Sequence, residues 1–465
     1  MISPIPTTTP EAHHLFAEGA NELALVERNG MRIDVDYLDR KIDETTERVK
    51  RTEARLREMD EFKLQRRQFG AKTNLTSRQQ LADILYDVQG HECHSYTSGG
   101  KSGKKQKQLD ETALERIDSK YCKGFLRLEK LRKSLATYLK GLRSEVVDGF
   151  IHPFYHLSTV RSYRGSSSDP NAQNLPKRDG EAARLVREAF IPRDGHVLIE
   201  TDYSTLEVRV ACCLSGDDKL TYDTVHGDMH RDMAAECFKL DLDDVTKATR
   251  QSAKGGFVFA QFYGDWYKAC AKNLWDAVER SGLETVAGVP MFDHLASRGI
   301  TSLGPADART EPTPGSLQHH IKKVEKRFWN ERFSTYNKFR QQLVSDYREV
   351  GWFPLATGFI CHGVFSKNQV INYPVQGPAF HCLLWSLIQI NKWLRKNKMR
   401  TKIIGQIHDS IIADVHKNEA DDYIEKVREV TTTGLQRAWP WVVVPMSVDM
   451  ERGDLNWYGM KEIAV

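Results

Sequence analysis

Apolar residues recur at threes, fours and sevens over residues 22–62, where Leu38, Ile42, Val49, Leu56 and Met59 stand among charged neighbours. That period predicts a long amphipathic helical region. A second stripe over 121–144, formed by Phe125, Leu128, Leu131, Leu135, Leu139 and Leu142, predicts its partner in a protruding helical hairpin. The intervening segment 88–110 is rich in Gly, Ser and Lys and reads as a mobile basic tip.

Beyond residue 150 the pattern changes. Val197-Leu198-Ile199 is an apolar run that ends in Glu-Thr-Asp, the signature of a buried strand delivering an acid at its end. Helical periodicity covers 217–285 and 318–349, with a loop expected at 301–316, and a further helix is expected over 376–396. Residues 401–415 read as two apolar strands joined at His408-Asp409-Ser410. No internal repeat is visible.

With 465 residues the chain is too long for one ordinary core, and two to four domains are expected. No run of 18 apolar residues exists, so no membrane span is predicted, and residues 1–12 lack the features of a signal peptide. The eight cysteines include no CxxC pair, which fits buried thiols in a reducing compartment. A net charge of +4 says little, but Lys and Arg crowd 48–72 and 101–107 while acids gather at 216–244. Such a run is either a solvated face or an arm for a phosphate backbone.

Two acids stand out. Asp202 closes the strand and Asp409 sits at the bend of the hairpin. Acids at the edge of apolar strands need hydration, hydrogen bonds or cations, and two brought together suit a pair of hard divalent ions. Arg250 and Lys254 are four residues apart, so on a helix both cations face one way, an arrangement that would suit a triphosphate. Aromatic residues follow them, and the bland reading is an amphipathic helix with its aromatics in the core.

These residues carry a resemblance. The run from Asp202 through Tyr203 and Glu207 to Arg209 resembles motif A of the family-A DNA polymerases, the DNA polymerase I type. Arg250 to Gly264 resembles their motif B, and Ile407-His408-Asp409 their motif C. The segments Arg164–Pro176 and Asn372–Gly377 resemble the family's stretches before motifs A and C. All five occur in family order over about 160–465, and weaker thumb-like similarity reaches back to about residue 22.

The resemblance implies an α+β right hand with an antiparallel palm sheet, helical fingers and a helical-hairpin thumb. It implies an N-terminal extension (1–21), a thumb (22–150), a first palm part (151–215), fingers (216–350) and a second palm part (351–465). Position by position, it makes Asp202, Asp409 and the Tyr203 carbonyl ligands of two Mg2+ ions, with Mn2+ able to substitute. Lys254 and Arg250 would grip the triphosphate, Lys254 also protonating the pyrophosphate, with His230 near the phosphates. Glu207 would fill the space of a ribose 2′-hydroxyl, and Tyr263 would pack beside the nascent base pair. Arg164, Asn171, Gln173, Arg178, Asn372, Gln376 and His408 would line the primer-template.

Three departures from the family pattern qualify this. Motif B carries one extra residue, so its large aromatic aligns with Phe259 from one end and Val258 from the other. A π-bulge would absorb the difference; Phe259 is the expected residue against sugar and base, ahead of Phe257. Ser410 stands where many relatives have glutamate, and Asn368 where arginine is common.

The implied activity is dNTP-dependent primer extension in DNA replication, by a monomer with no membrane association. The rivals are a single-subunit RNA polymerase, against which Glu207 argues, and a non-catalytic DNA-binding replication protein, against which both aspartates argue. Few residues precede the thumb-like helices and they hold no DxE cluster, so proofreading is not expected. A separate exonuclease, clamp or helicase would be the partners. The compact form suggests a phage-like source and action in the host cytoplasm.

Overall fold

The computed structural model describes residues 5–93, 96, 106–176, 180–307 and 309–463. At its centre is a five-stranded antiparallel sheet. In chain order its strands are β1 (His196–Tyr203), β2 (Lys402–Ile407), β3 (Ser410–His416), β4 (Val448–Gly453) and β5 (Lys461–Ile463), and in space they run β5-β4-β1-β3-β2. β1 is central and carries side chains buried on both faces. Val197, Ile199 and Tyr203 join the main core, whereas Leu198 packs with Ile412 and Trp457 on the other side. Asp202, partly exposed, is the exception at its end. The expected strand and hairpin are thus present, the hairpin turning through His408, whose φ of 52° is rare for a residue with a Cβ.

The helical region expected over 22–62 is interrupted. Helix α1 (Pro10–Asn29) ends at Gly30, whose φ of 64° closes the helix. It includes much of the stretch read as an extension and lies against the sheet, where Asn29 Nδ2 donates to the Ile403 carbonyl at 2.8 Å. Arg395 donates to the buried Glu22 at 2.6 Å. The hairpin proper is α2 (Val35–Arg57) against α3 (Lys120–Lys133). Pairs run in opposite directions along it: Asp39 with Arg143 at 2.6 Å, Glu53 with Arg132 at 3.0 Å, and Glu61 with Ser119 at 2.9 Å. Of the basic tip read over 88–110, residues 94–95 and 97–105 lie outside the described residues.

The 217–285 region is helical, as its periodicity predicts, and forms a series that includes α4 (Met229–Phe238), α5 (Lys247–Ala253) and α6 (Tyr267–Ser281). The expected π turn follows α5 directly, over Lys254–Phe259. The loop at 301–316 holds no helix among its described residues, and 317–350 is helical. Helix α7 (Lys367–Lys396) begins nine residues before its expected start, with a capping box between Ser366 and Gln369. Pro374 and Pro378 hid that start, because proline normally breaks helices. Gly377 between them is required by close approach: a Cβ there would stand 2.6 Å from both Leu355 Cδ1 and the Ser162 carbonyl oxygen. No described helix is long and apolar enough to cross a membrane.

Candidate active site

β1 and the β2–β3 turn meet at one end of the sheet. Asp202 pairs in register with Ser410, and the Tyr203 amide donates to the Asp409 carbonyl at 3.1 Å. Ser410 Oγ donates to Asp202 Oδ1 at 2.9 Å. Both aspartates therefore stand on the wall of a single cleft of about 440 Å³, together with Tyr203, Glu207, Lys254, Phe259, Tyr263, Arg164, Asn372, Gln376 and His408.

Beyond Asp202 the chain turns sharply into a helix (Leu206–Ser215) through Thr205 at φ 52°, a strained conformation for a β-branched residue. The turn sets Glu207 in the first helical turn, facing back over the cleft. There its carboxylate accepts from Arg164 at 3.2 Å and from the Tyr263 hydroxyl at 3.0 Å. Burial raises the Glu207 pKa above the usual 4.5; Arg164 opposes this and the nearby Asp409 adds to it.

The opposite wall is the helix of motif B. Its π turn changes the face on which the following side chains emerge. Phe257 and Val258 are buried in the core, Phe257 edge-on to Phe328 at 5.3 Å, whereas Phe259 reaches the cleft. Lys254 Nζ lies 5.3 Å from the centre of the Phe259 ring, and the His230 ring meets it edge-on at 5.5 Å. Burial, then Lys254 and Arg250, depress the His230 pKa to about 4, so the ring is neutral at pH 7. Its Nδ1 is buried with no hydrogen-bond partner.

Some expected residues stand back from the cleft wall. Arg250 is held by Asp228 at 2.8 Å, beside His230. Gln173 donates to Gln406 at 3.1 Å, and Gln406 donates in turn to the His408 carbonyl at 2.6 Å. Asn171 is exposed on the surface, and Arg178 lies outside the described residues. Asn368 packs against Gly264, where a Cβ would meet its Oδ1 at 2.5 Å.

Three supporting groups were not anticipated. Asp228 caps α4 and orients Arg250. Ser410 orients Asp202. Beneath the aspartates, buried Glu200 accepts from Trp457 Nε1 at 2.7 Å and stands 3.6 Å from Arg187, which stacks on that indole at 3.8 Å. Glu200 lies two positions before Asp202, and the strand period that puts both on one face was the available signal.

The donor chemistry tests the fit of a metal. The cleft offers hard carboxylate oxygens, and among the described residues no group of three or more His, Cys, Asp or Glu could hold an ion by itself. A partial oxygen shell completed by phosphates and water is what Mg2+ takes, so the residues fit it.

The pattern of DNA polymerase family A matches residues 36–282 and 362–459, well over half of the chain. The chain belongs to DNA polymerase family A. DNA polymerase I of Pseudomonas aeruginosa is 28% identical over 428 residues, covering 90% of this chain and 42% of that protein. DNA polymerase I of Chloroflexus aurantiacus is 27% identical over 451 residues, covering 95% and 42%. The DNA polymerase of Bacillus phage SP01 is 26% identical over 379 residues, covering 78% and 37%. The chain thus spans about two fifths of the length of these relatives. Its fold is that of the POL domain of Pol1 from M. smegmatis, solved in complex with DNA primer-template and dNTP. The TM-score is 0.73 at 22% identity, over 96% of this chain and 70% of that one. The fold class is therefore the polymerase right hand, α+β with an antiparallel palm sheet.

Proposed function

We propose that the chain is a template-directed DNA polymerase that adds deoxynucleotides to a primer 3′ end and releases pyrophosphate. The observation that carries this is the convergence of Asp202 and Asp409 on one cleft opposite Lys254 and Phe259. The relatives are DNA polymerases, and the fold neighbour binds primer-template and dNTP.

In this reading Asp202, Asp409 and the Tyr203 carbonyl would hold two Mg2+ ions, which when bound would supply Lewis-acid activation of a hydroxyl and neutralisation of phosphate charge. Lys254 grips the triphosphate from the facing wall and gives a proton to the departing group. Arg250, preset by Asp228, adds a second cation to the phosphates. Neutral His230 offers its unpartnered Nδ1 as a donor to a phosphate oxygen. Phe259 packs against sugar and base and Tyr263 beside the nascent pair.

Glu207, clamped by Arg164 and Tyr263, fills the space of a 2′-hydroxyl and so selects deoxyribose. Arg164, Asn171, Gln173, Arg178, Asn372, Gln376 and His408 contact the primer-template, several of them at minor-groove acceptors common to all base pairs. Closure of the helix bearing Lys254 and Phe259 over a matched pair gives a fidelity step.

The test is extension of a labelled primer-template by the purified chain with Mg2+, supplied in parallel with dNTPs and rNTPs. Templated dNTP incorporation is expected. Preference for rNTPs would point to an RNA polymerase, and DNA binding without extension to a non-catalytic protein; either result overturns the proposal.

A further inference from the structure

The helical hairpin and the motif B wall meet at a second place, away from the sheet. The short helix Glu111–Arg116 lies at the far end of the hairpin, where Ser119 just beyond it donates to Glu61 at 2.9 Å. From there Arg116 crosses to α6. Its Nη2 donates to Asp276 Oδ1 at 3.0 Å and to Glu279 Oε2 at 2.7 Å, and its Nε donates to the same Oε2 at 3.1 Å. Helix α6 is packed behind motif B: a Cβ on Gly256 of the π turn would stand 3.2 Å from Leu274 Cδ2.

The foot of the hairpin is rooted on the other wall. Leu38, Leu139 and Leu142 share a core with Leu198 and Ile412 of the sheet and with Leu175, which also lines the catalytic cleft. The contacts therefore close a circuit, from the cleft through the hairpin foot, the hairpin tip, Arg116, α6 and motif B back to the cleft. Helix α2 alone has 23 residues, about 34 Å of helix, so foot and tip stand well apart.

The crossing at the tip is made by charge. Among the described residues the apolar cluster around Leu114 and Ile117 stays separate from the one around Leu274 and Val278. An ion pair near the surface adds little stability and weakens with salt, so such a crossing opens readily. Opening it strands no buried charge. Asp276 is buried, but its other oxygen keeps Lys272 at 2.6 Å, and Glu279 is exposed and returns to water.

We infer that Arg116 is the catch of a ring: primer-template lies between the hairpin and the motif B wall, and the Arg116 bridge closes behind it and slows its release. This rests on the reading of the chain as a DNA polymerase. Arg116 is a positioning residue that acts on how long the substrate stays, not on the chemical step.

The test joins Arg116→Cys to Glu279→Cys with a short bismaleimide, the two single variants serving as controls for the chain's own free cysteines. Crosslinked after loading on a gapped circular duplex, the double variant is expected to stay on the DNA in high salt and to leave once the circle is cut. Crosslinked beforehand, it is expected not to load. Failure to crosslink, or loss from the uncut circle, would overturn the inference. Without crosslinker, Arg116→Ala and Glu279→Gln should each release labelled primer-template about tenfold faster into excess unlabelled DNA, the two together no faster than either. Single-turnover incorporation should be unchanged, whereas a mere brace for the fold would lower it. Normal incorporation with release unmoved would overturn the inference alone; a parent chain that adds no nucleotide would overturn the polymerase reading and the inference with it.

Discussion

Ser410 Oγ donates a 2.9 Å hydrogen bond to Asp202 Oδ1, and the two residues are register partners across β1 and β3. The hydroxyl stands where many family members have a carboxylate, so a third negative charge is replaced by a donor that holds the Asp202 rotamer. Ser410→Ala removes the donor at nearly constant shape. A drop in turnover of roughly tenfold is expected, with a higher Mg2+ requirement and little change in Tm. A Mg2+ titration of single-nucleotide incorporation checks this; an unchanged midpoint would show that Ser410 does not position Asp202.

Asp409→Ala tests the other arm of the pair. Turnover should fall by about a thousandfold or more while primer-template binding persists. Single-turnover extension beside an anisotropy titration separates the two, and retained incorporation would end the catalytic assignment.

Glu207 joins Arg164 and Tyr263 at the cleft. Shortening it in Glu207→Ala opens the space opposite the sugar 2′ position. The ratio of kcat/KM for dCTP to that for CTP is expected to fall by about 100-fold. An unchanged ratio would move sugar selection to another residue.

The same carboxyl has a pH signature. Its folded pKa is raised, chiefly by burial, so the folded state binds this proton more tightly than the unfolded chain. That contribution is fully present below the unfolded carboxyl pKa and is lost as pH rises through the folded value. Glu207→Gln stays neutral throughout. The Tm of Glu207→Gln minus that of the parent should therefore grow as pH climbs from acidic to neutral; a flat difference would contradict the shift.

The register of motif B is separable by two tyrosines. Phe259 reaches the cleft and lacks a hydroxyl, and the family resemblance implies poor use of dideoxynucleotides with such a residue. Phe259→Tyr is expected to raise dideoxynucleotide incorporation, read as chain termination on a sequencing template. Phe257 is fully buried, so Phe257→Tyr would bury an unpaired hydroxyl and cost about 1–3 kcal/mol, read by denaturant unfolding. The reverse pattern would assign the cleft position to Phe257.

Much of the site was legible because short-range periodicity constrains it. The apolar run into Asp202 and the apolar arms around Asp409 announce a strand end and a hairpin. The surplus residue in motif B announces a π turn. The start of α7 was not legible, since two prolines contradict a helix locally and only packing around Gly377 makes it stable. The break at Gly30 was equally hidden, because helical periodicity continues on both sides of it. Arg250 shows a subtler limit: its spacing from Lys254 is in the chain, but its capture by Asp228 depends on how α4 meets α5.

By itself the amino-acid order determined which residues could do chemistry, how they are spaced on their own elements, and which family pattern they follow. Only the folded chain decided that the Tyr203 amide bonds the Asp409 carbonyl, that Phe259 and not Phe257 reaches the cleft, and that Asp228 holds Arg250. The division has a physical origin. Periodicity and turn preference act over a few residues, whereas strand register, burial and the pKa shifts that follow from it are set by groups distant in sequence and adjacent in space.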